Sequence, residues 1–272
     1  MKIDVKGQEA YAYTGGKPWI EGQPGVVFIH GALHDHSVWI LQSRFLAHHG
    51  YNVMAVDLPG HGRTPGPALN VEAAGAWLAD LVRACHGSEV FLVGHSMGSL
   101  IALEAASQLA GQIQGLFMVG TAYPMKVSST LLQMSLDDPL KAMQLVNSLS
   151  ISTHAAKPSH PGPGFSLHGS NLALMRRTFS RYRLGNLFHH DFSACDAYTG
   201  LEKAAAQVHA PVTLVLGRKD QMTSPKAVAP LVQALSPRVV HLDCGHAVMA
   251  EAPDALLDAL LDGLRNGMSA RA

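Results

Sequence analysis

Apolar residues along this chain gather in short runs, and the runs alternate with stretches whose apolar residues recur at helical spacing. The runs fall at 26–29, 53–56, 90–93, 116–119, 212–216 and 239–242, and helical patterns occupy 38–49, 71–85, 99–110, 225–235 and 253–264. Continuous Val, Leu, Ile and Phe without a polar alternate reads as strand buried on both faces. Strand alternating with helix therefore predicts an α/β fold with a mainly parallel sheet flanked by helices on both faces. Ile3, Val5, Tyr11 and Tyr13 alternate with polar residues and predict an antiparallel hairpin on the sheet edge, which brings the expected strands to eight.

The rhythm breaks once, between 121 and 206. That stretch has no convincing buried strand; it carries weakly amphipathic segments at 131–149 and 171–183 and a Pro-, Gly-, Ser- and His-rich loop, HAAKPSHPGPGFSLHGS. The expected organisation is a core formed by 1–120 and 207–272, with 121–206 inserted after the sixth strand as a helical cap or lid. Ligands of open α/β sheets bind beyond the carboxyl ends of the strands, so an insertion leaving from such an end covers the site.

Composition narrows the function. The 272 residues are 47% hydrophobic and 15% charged, which excludes disorder. Lys plus Arg and Asp plus Glu are 20 each, so no basic footprint for nucleic acid or a membrane surface is present. No segment approaches the roughly 20 apolar residues of a membrane span, and the polar N-terminus lacks the apolar core of a signal peptide. Cys85, Cys195 and Cys244 are too few and too scattered for a disulfide framework or a zinc site, and imply a reducing, cytoplasmic setting. The expected partner is a small molecule; the oligomeric state has no signature.

The chemistry centres on EVFLVGHSMGSLIALEAA, residues 89–106, where an apolar strand gives way to a helix with Ser96 at the corner. A sharp turn crowds Cβ atoms, and Gly94 and Gly98 remove two of them. The plain alternative is a βα turn in which Ser96 is only an N-cap. Serine is a poor nucleophile unless a histidine held by a carboxylate takes its proton. Asp220 follows the strand VTLVL, and His246 lies in the loop after VVHL, so both stand where carboxyl ends of strands place them. Asp243 is the rival acid, although it lies only three residues from His246. Developing negative charge needs backbone donors: Met97 N–H at the helix start and Ala32 N–H in the loop HGALHDHSVW, with Leu33 as the fallback.

These residues resemble the α/β-hydrolase family, whose signature is G-x-S-x-G with the chain order Ser, Asp, His. Here the motif is Gly94-His95-Ser96-Met97-Gly98; His30-Gly31 resembles the family's oxyanion loop, and DLPGHGRT (57–64) the loop after the following strand. The resemblance implies a cofactor-free ester hydrolase working through an acyl-enzyme on small to medium apolar acids. Relatives with an aspartate nucleophile are disfavoured by Ser96. Carbon–carbon bond hydrolases commonly carry tryptophan after the catalytic histidine, where Ala247 stands. Hydroxynitrile lyases use a lysine near that loop, and none follows Lys226. Carbon–carbon hydrolysis, lactone opening, thioester cleavage, perhydrolysis and a non-catalytic binding module stay open.

Leu33, His95, Tyr123 and Met125 flank these loops and are the candidate substrate contacts; Met125 also reads as cap core, with Met134, Met143, Phe165 and Phe179. HDH at 34–36 and the HH pairs at 48–49 and 189–190 lack converging ligand spacing, so no metal is expected, and His34 and His36 read as lining the site's mouth. The four arginines of RRTFSRYR (176–183) form a solvated helix face, unless one reaches the pocket to pair with a substrate carboxylate.

Overall fold

The computed structural model describes residues 1–85, 90–152 and 166–269. Most of the Pro- and Gly-rich loop, residues 153–165, lies outside the described residues, and Phe165 with it.

The alternating N-terminal residues form the hairpin of β1 (Lys2–Val5) and β2 (Gln8–Tyr13). The continuous apolar runs become β3 (Gly25–Ile29), β4 (Asn52–Val56), β5 (Val90–His95), β6 (Ile113–Val119), β7 (Val212–Gly217) and β8 (Arg238–Leu242). Strand order is β1-β2-β4-β3-β5-β6-β7-β8; every pair from β4 to β8 is parallel, and only β1 with β2 and β2 with β4 run antiparallel. Strands β3 to β7 are buried on both faces because α1 (Ile40–Ala47) and α11 (Pro253–Ser269) cover one side while α2 (Val71–Ala84) and α3 (Met97–Gln108) cover the other. Strand β8, at the sheet edge, is not the doubly buried strand its apolar run predicts: of its residues only Leu242 is buried. Ile29, Val56, Leu92 and Leu116 point to the second face, and Phe28, Val93, Phe117 and Val215 to the first, following the period-two alternation of a strand. The expected 225–235 helix is a 3-10 turn, Pro225–Val228, running into α9 (Ala229–Leu235), and α10 (Val248–Glu251) is a single turn before α11.

Between β6 and β7 the described residues contain helices and no strand: α4 (Ser129–Asp137), α5 (Pro139–Ser150), α6 (Leu167–Arg181), α7 (Leu187–Ala197) and α8 (Leu201–Ala205). The segment at 131–149 divides because Pro139 lacks an N–H and opens a new helix, with the Asp138 side chain accepting from Lys141 N–H as its cap. Helix α7 has no clear helical stripe in sequence, because Asp191 is buried on the same side as Leu187 and Phe192. The insertion has its own apolar cluster, including Leu131, Met143, Val146, Met175, Phe188 and Phe192, and Leu33 from the loop after β3 is packed into it.

Candidate active site

Three loops at the carboxyl ends of strands meet beneath the insertion. The first is the β5–α3 corner. Ser96 has φ 53° and ψ −123°, a conformation that costs a non-glycine residue about 1–3 kcal/mol. A Cβ at Gly94 would strike the carbonyl of Gly98, and one at Gly98 the carbonyls of Ile29 and His30, so both glycines are required for the close approach. Ser96 makes no side-chain cap bond, which removes the plain N-cap reading and leaves its hydroxyl uncommitted to the helix. Its backbone is held by Ser96 N–H to the Val119 carbonyl at 2.9 Å, and by its own carbonyl accepting from Ser99 N–H at 2.8 Å.

The second loop follows β7. Asp220 Oδ1 accepts from Met222 N–H and Thr223 N–H, both at 2.8 Å, and Oδ2 accepts from the Thr223 hydroxyl at 2.7 Å and from His246 Nδ1 at 2.8 Å. Burial opposes ionisation of this carboxyl, but His246 and these donors outweigh it and hold its pKa below the usual carboxylate value. The third loop carries His246, buried, with Nδ1 donating to Asp220. That tautomer leaves Nε2 as an acceptor, without a protein partner among the described residues. Gly217 and Gly120 permit this assembly: a Cβ at Gly217 would strike the Gly245 carbonyl, and Gly120, at φ 55°, backs the rings of His95 and His246. The rival Asp243 is turned to solvent, paired with Lys219 at 2.8 Å.

Ser96, His246, Ala32 and Thr223 line one cavity of about 170 Å³. Its apolar wall comes from Met125, Val127, Leu131, Val146, Met175 and Phe192 of the insertion, and its polar fringe includes His34 and Asn171. Met97 is buried at the first position of α3, where helix N–H groups have no intrahelical partner. Of the four expected substrate contacts, His95 and Met125 line the cavity, whereas Leu33 and Tyr123 do not. Leu33 is wholly buried in the insertion's cluster and its N–H is bonded to Asp191 Oδ2 at 2.9 Å, so it is also no spare donor. Tyr123 stacks edge-on against Tyr198. His95 is held neutral chiefly by burial, and its Nε2 donates to the His246 carbonyl at 2.9 Å, which steadies the third loop.

His36 does not line the cavity; its Nδ1 and N–H bond Asp57 Oδ1 at 2.8 and 2.7 Å. Asp35, His36 and Asp57 have donor atoms close enough to hold a metal, but every carboxylate oxygen of the group already accepts from Ser37, Arg177, His36 or Arg63. The insertion's arginines stay out of the cavity: Arg177 bonds Asp35 at 2.7 Å, and Arg181 and Arg183 border a separate surface cleft with Arg63. Sequence reading missed Thr223, Gly120 and Asp191. The Asp-x-x-Thr spacing of a side-chain-closed turn could have flagged Thr223; nothing local distinguishes Asp191.

Comparison with known proteins places this geometry. A family model described as "Alpha/beta hydrolase family" matches residues 26–259. Esterase Rv0045c of Mycobacterium tuberculosis is 26% identical over 88% of this chain and 82% of its own. (E)-2-((N-methylformamido)methylene)succinate hydrolase of Acinetobacter baylyi is 35% identical over 30% of this chain, a match that spans only 31% of that protein. Among solved structures, an esterase from Exiguobacterium antarcticum superposes with a TM-score of 0.80 at 19% identity, covering 97% of this chain and 98% of that one. No helix among the described residues is long and apolar enough to cross a membrane.

Proposed function

The chain belongs to the alpha/beta hydrolase family as an esterase-like enzyme, and on that premise we propose that it cleaves carboxylic esters of small to medium apolar acids through an acyl-enzyme on Ser96. The observation that carries the reading is a buried His246 whose Nδ1 is tied to Asp220 and whose Nε2 has no protein partner among the described residues, lining the same cavity as a strained, non-capping Ser96.

Ser96 Oγ attacks the ester carbonyl carbon as His246 Nε2 takes its proton. The oxyanion rests on the N–H groups of Ala32 and Met97, each such donor contributing about 2.7–4 kcal/mol where one has been deleted. Collapse breaks the carbon–oxygen bond to the alcohol, which leaves with the proton from His246. His246 then deprotonates water, which attacks the acyl carbon; the acid departs and Ser96 regains its proton. Asp220 keeps His246 in the Nδ1–H tautomer and stabilises its charged form; Thr223 bonds the same Oδ2.

Residues 121–206 act as the lid over this site, with 1–120 and 207–272 as the core. Met125, Val127, Leu131, Val146, Met175 and Phe192 receive the acyl chain, and the flexible methionines suit an adaptable apolar pocket. His95 supports the His246 loop and touches the same space. The test is a burst assay with short- and medium-chain p-nitrophenyl esters, and intact mass after a fluorophosphonate probe, on wild type and Ser96→Ala. Turnover and a probe adduct in wild type, both lost in the variant, are expected. An adduct without ester turnover redirects the chemistry to lactones, thioesters or carbon–carbon bonds; the absence of both signals overturns the reading.

A further inference from the structure

The loop that carries Ala32 is bonded at three successive residues to the lid. Leu33 N–H donates to Asp191 Oδ2 on α7 at 2.9 Å, His34 Nε2 meets Asn171 Oδ1 on α6 at 3.1 Å, and Asp35 Oδ2 accepts from Arg177, also on α6, at 2.7 Å. Residues 31–34 form a turn closed by His34 N–H to the Gly31 carbonyl at 3.3 Å, with Leu33 at its third position and φ 55°. A bulky side chain holds a left-handed conformation only where its surroundings impose it. Here two contacts impose it, and both come from the lid: the apolar cluster that buries the Leu33 side chain, and the carboxylate on its N–H.

Asp191 is itself fixed from the core. The same Oδ2 meets His61 Nε2 at 2.9 Å, with both residues buried. His61 Nδ1 faces the Pro59 carbonyl at 3.1 Å. Both ring nitrogens thus face acceptors, and a ring can satisfy both only as the imidazolium. Its neighbour His30, 4.9 Å away between centroids, accepts Leu58 N–H at Nε2 and donates from Nδ1 to Gly31, so it is neutral. The other groups facing the pair are Asp57, beside His61; His190 Nδ1, 3.5 Å from Asp191 Oδ1; and the Cys195 thiol one turn along α7, which burial and then the Asp191 charge push up, so that it stays neutral.

We infer that Asp191 is a positioning residue which, with His61 as its buried counter-ion, makes the lid set the oxyanion loop. The carboxylate fixes the Ala32–Leu33 peptide and so holds the 31–34 turn, whose closing bond from His34 N–H to the Gly31 carbonyl orients the preceding Gly31–Ala32 peptide and keeps Ala32 N–H facing the reacting oxygen. If the Ala32–Leu33 peptide flips to relieve Leu33, the Ala32 carbonyl turns toward the carboxylate, which repels it. Without Asp191 the flip is unopposed, the turn bond from His34 N–H to the Gly31 carbonyl loosens, and the Gly31–Ala32 peptide that carries Ala32 N–H loses its aim. This rests on the ester-hydrolase reading for its kinetic consequence, but not for the bond itself.

The experiment therefore has two readouts on full-length protein: hydrogen exchange of peptides spanning 30–36, and steady-state kinetics on the best p-nitrophenyl ester. Variants are Asp191→Ala, Asp191→Asn, and Tyr198→Phe, which removes a lid-to-core bond to Glu104 at 2.8 Å that does not involve the loop. Asp191→Ala is expected to speed exchange in 30–36 at least tenfold and to lower kcat about 10- to 100-fold with KM little changed, because misaiming a donor costs up to the order of its deletion. Asn can place its Oδ1 where Oδ2 stands and accept from both Leu33 N–H and the Nε2–H of His61, with its amide toward His190, so Asp191→Asn recovers most of the loss near neutral pH. It also lacks the alkaline fall in kcat that deprotonation of His61 gives wild type. Tyr198→Phe leaves both readouts near wild type. Unchanged exchange in Asp191→Ala overturns the inference whether or not the protein hydrolyses esters. So does a loss confined to KM, or an equal kcat loss in Tyr198→Phe, since either reduces Asp191 to general lid stability. Wild type without turnover or Ser96 labelling defeats the esterase reading alone, and exchange then decides the inference.

Discussion

Two pairs of histidine rings lie almost equally far apart in this molecule, His95–His246 at 4.7 Å and His30–His61 at 4.9 Å between centroids. In each pair one ring is kept neutral mainly by burial; His30 is lowered to about 4, and His95 well below its usual value. In each, the other ring binds an aspartate from a distant loop or helix, Asp220 or Asp191, at 2.8 and 2.9 Å. The pairs differ in one atom. His61 has its second nitrogen against the Pro59 carbonyl, so both protons are fixed; His246 has no partner for its second nitrogen among the described residues, and it lines the cavity beside Ser96. A histidine–aspartate pair does chemistry only where a nitrogen is left over to exchange a proton. Tied at both ends, the same pair is a clasp.

Removing the chemistry gives the largest expected effect. Ser96→Ala or His246→Ala lowers kcat by about 10⁶ if the residues work as a unit, and the double variant is scarcely worse than either single. Ester kinetics on all three check this; a double variant far below both singles breaks the unit. Asp220→Asn comes next, at about 10⁴ in kcat, because Asn can present an N–H to Nδ1 and so favour the wrong tautomer. KM staying within a few-fold separates that loss from a damaged pocket.

The two pairs also differ in how far sequence could reveal them. Strand runs, the two glycines around Ser96 and loops ending in Asp220 and His246 are local patterns, since a strand end fixes position within a residue or two. The eight-stranded sheet and the insertion after the sixth strand followed from that rhythm. The clasp has no local pattern: His61 and Asp191 lie 130 residues apart, and Asp191 sits in LFHHDFSACDA, where polar and apolar residues do not sort into faces. Leu33 looked like a pocket residue because it follows Gly31 and Ala32. Only the left-handed turn carries its side chain into the insertion.

Cutting the clasp tests stability before it tests rate. His61→Ala leaves the buried Asp191 charge uncompensated and is expected to cost about 3–5 kcal/mol, measured by urea unfolding at neutral pH. Burial opposes the charge on His61, but Asp191 outweighs it and raises the pKa above the ordinary 6.5. Burial likewise opposes ionisation of Asp191, which His61, His190 and Leu33 N–H outweigh, lowering its pKa. The His61 contribution is therefore full below about pH 6.5 and is lost as pH rises through the raised value; the Asp191 contribution is present above the ordinary 3.8 and is lost as pH falls through its lowered value. The penalty of His61→Ala should shrink at alkaline pH, where wild type has lost the same proton. A penalty constant from pH 6 to 10 contradicts a charged His61.

The smallest effect belongs to the other charged tie on the same loop. Arg177 meets Asp35 at 2.7 Å, as short a contact as any in the buried clasp, yet its side chain is 44% exposed against 2% for Asp35. Water screens an exposed arginine, and ordering its long side chain offsets part of the attraction, so such pairs contribute about 0–1 kcal/mol. Asp35 also keeps the Ser37 N–H and hydroxyl when the guanidinium is gone. Arg177→Ala should therefore shift unfolding by less than about 1 kcal/mol, and less still at 1 M salt. Its kcat should stay within about threefold of wild type, because Asp191 still holds Leu33. If Arg177→Ala instead matches Asp191→Ala in kcat and in exchange of 30–36, burial is not what separates the two ties, and the lid holds the oxyanion loop by its summed charge.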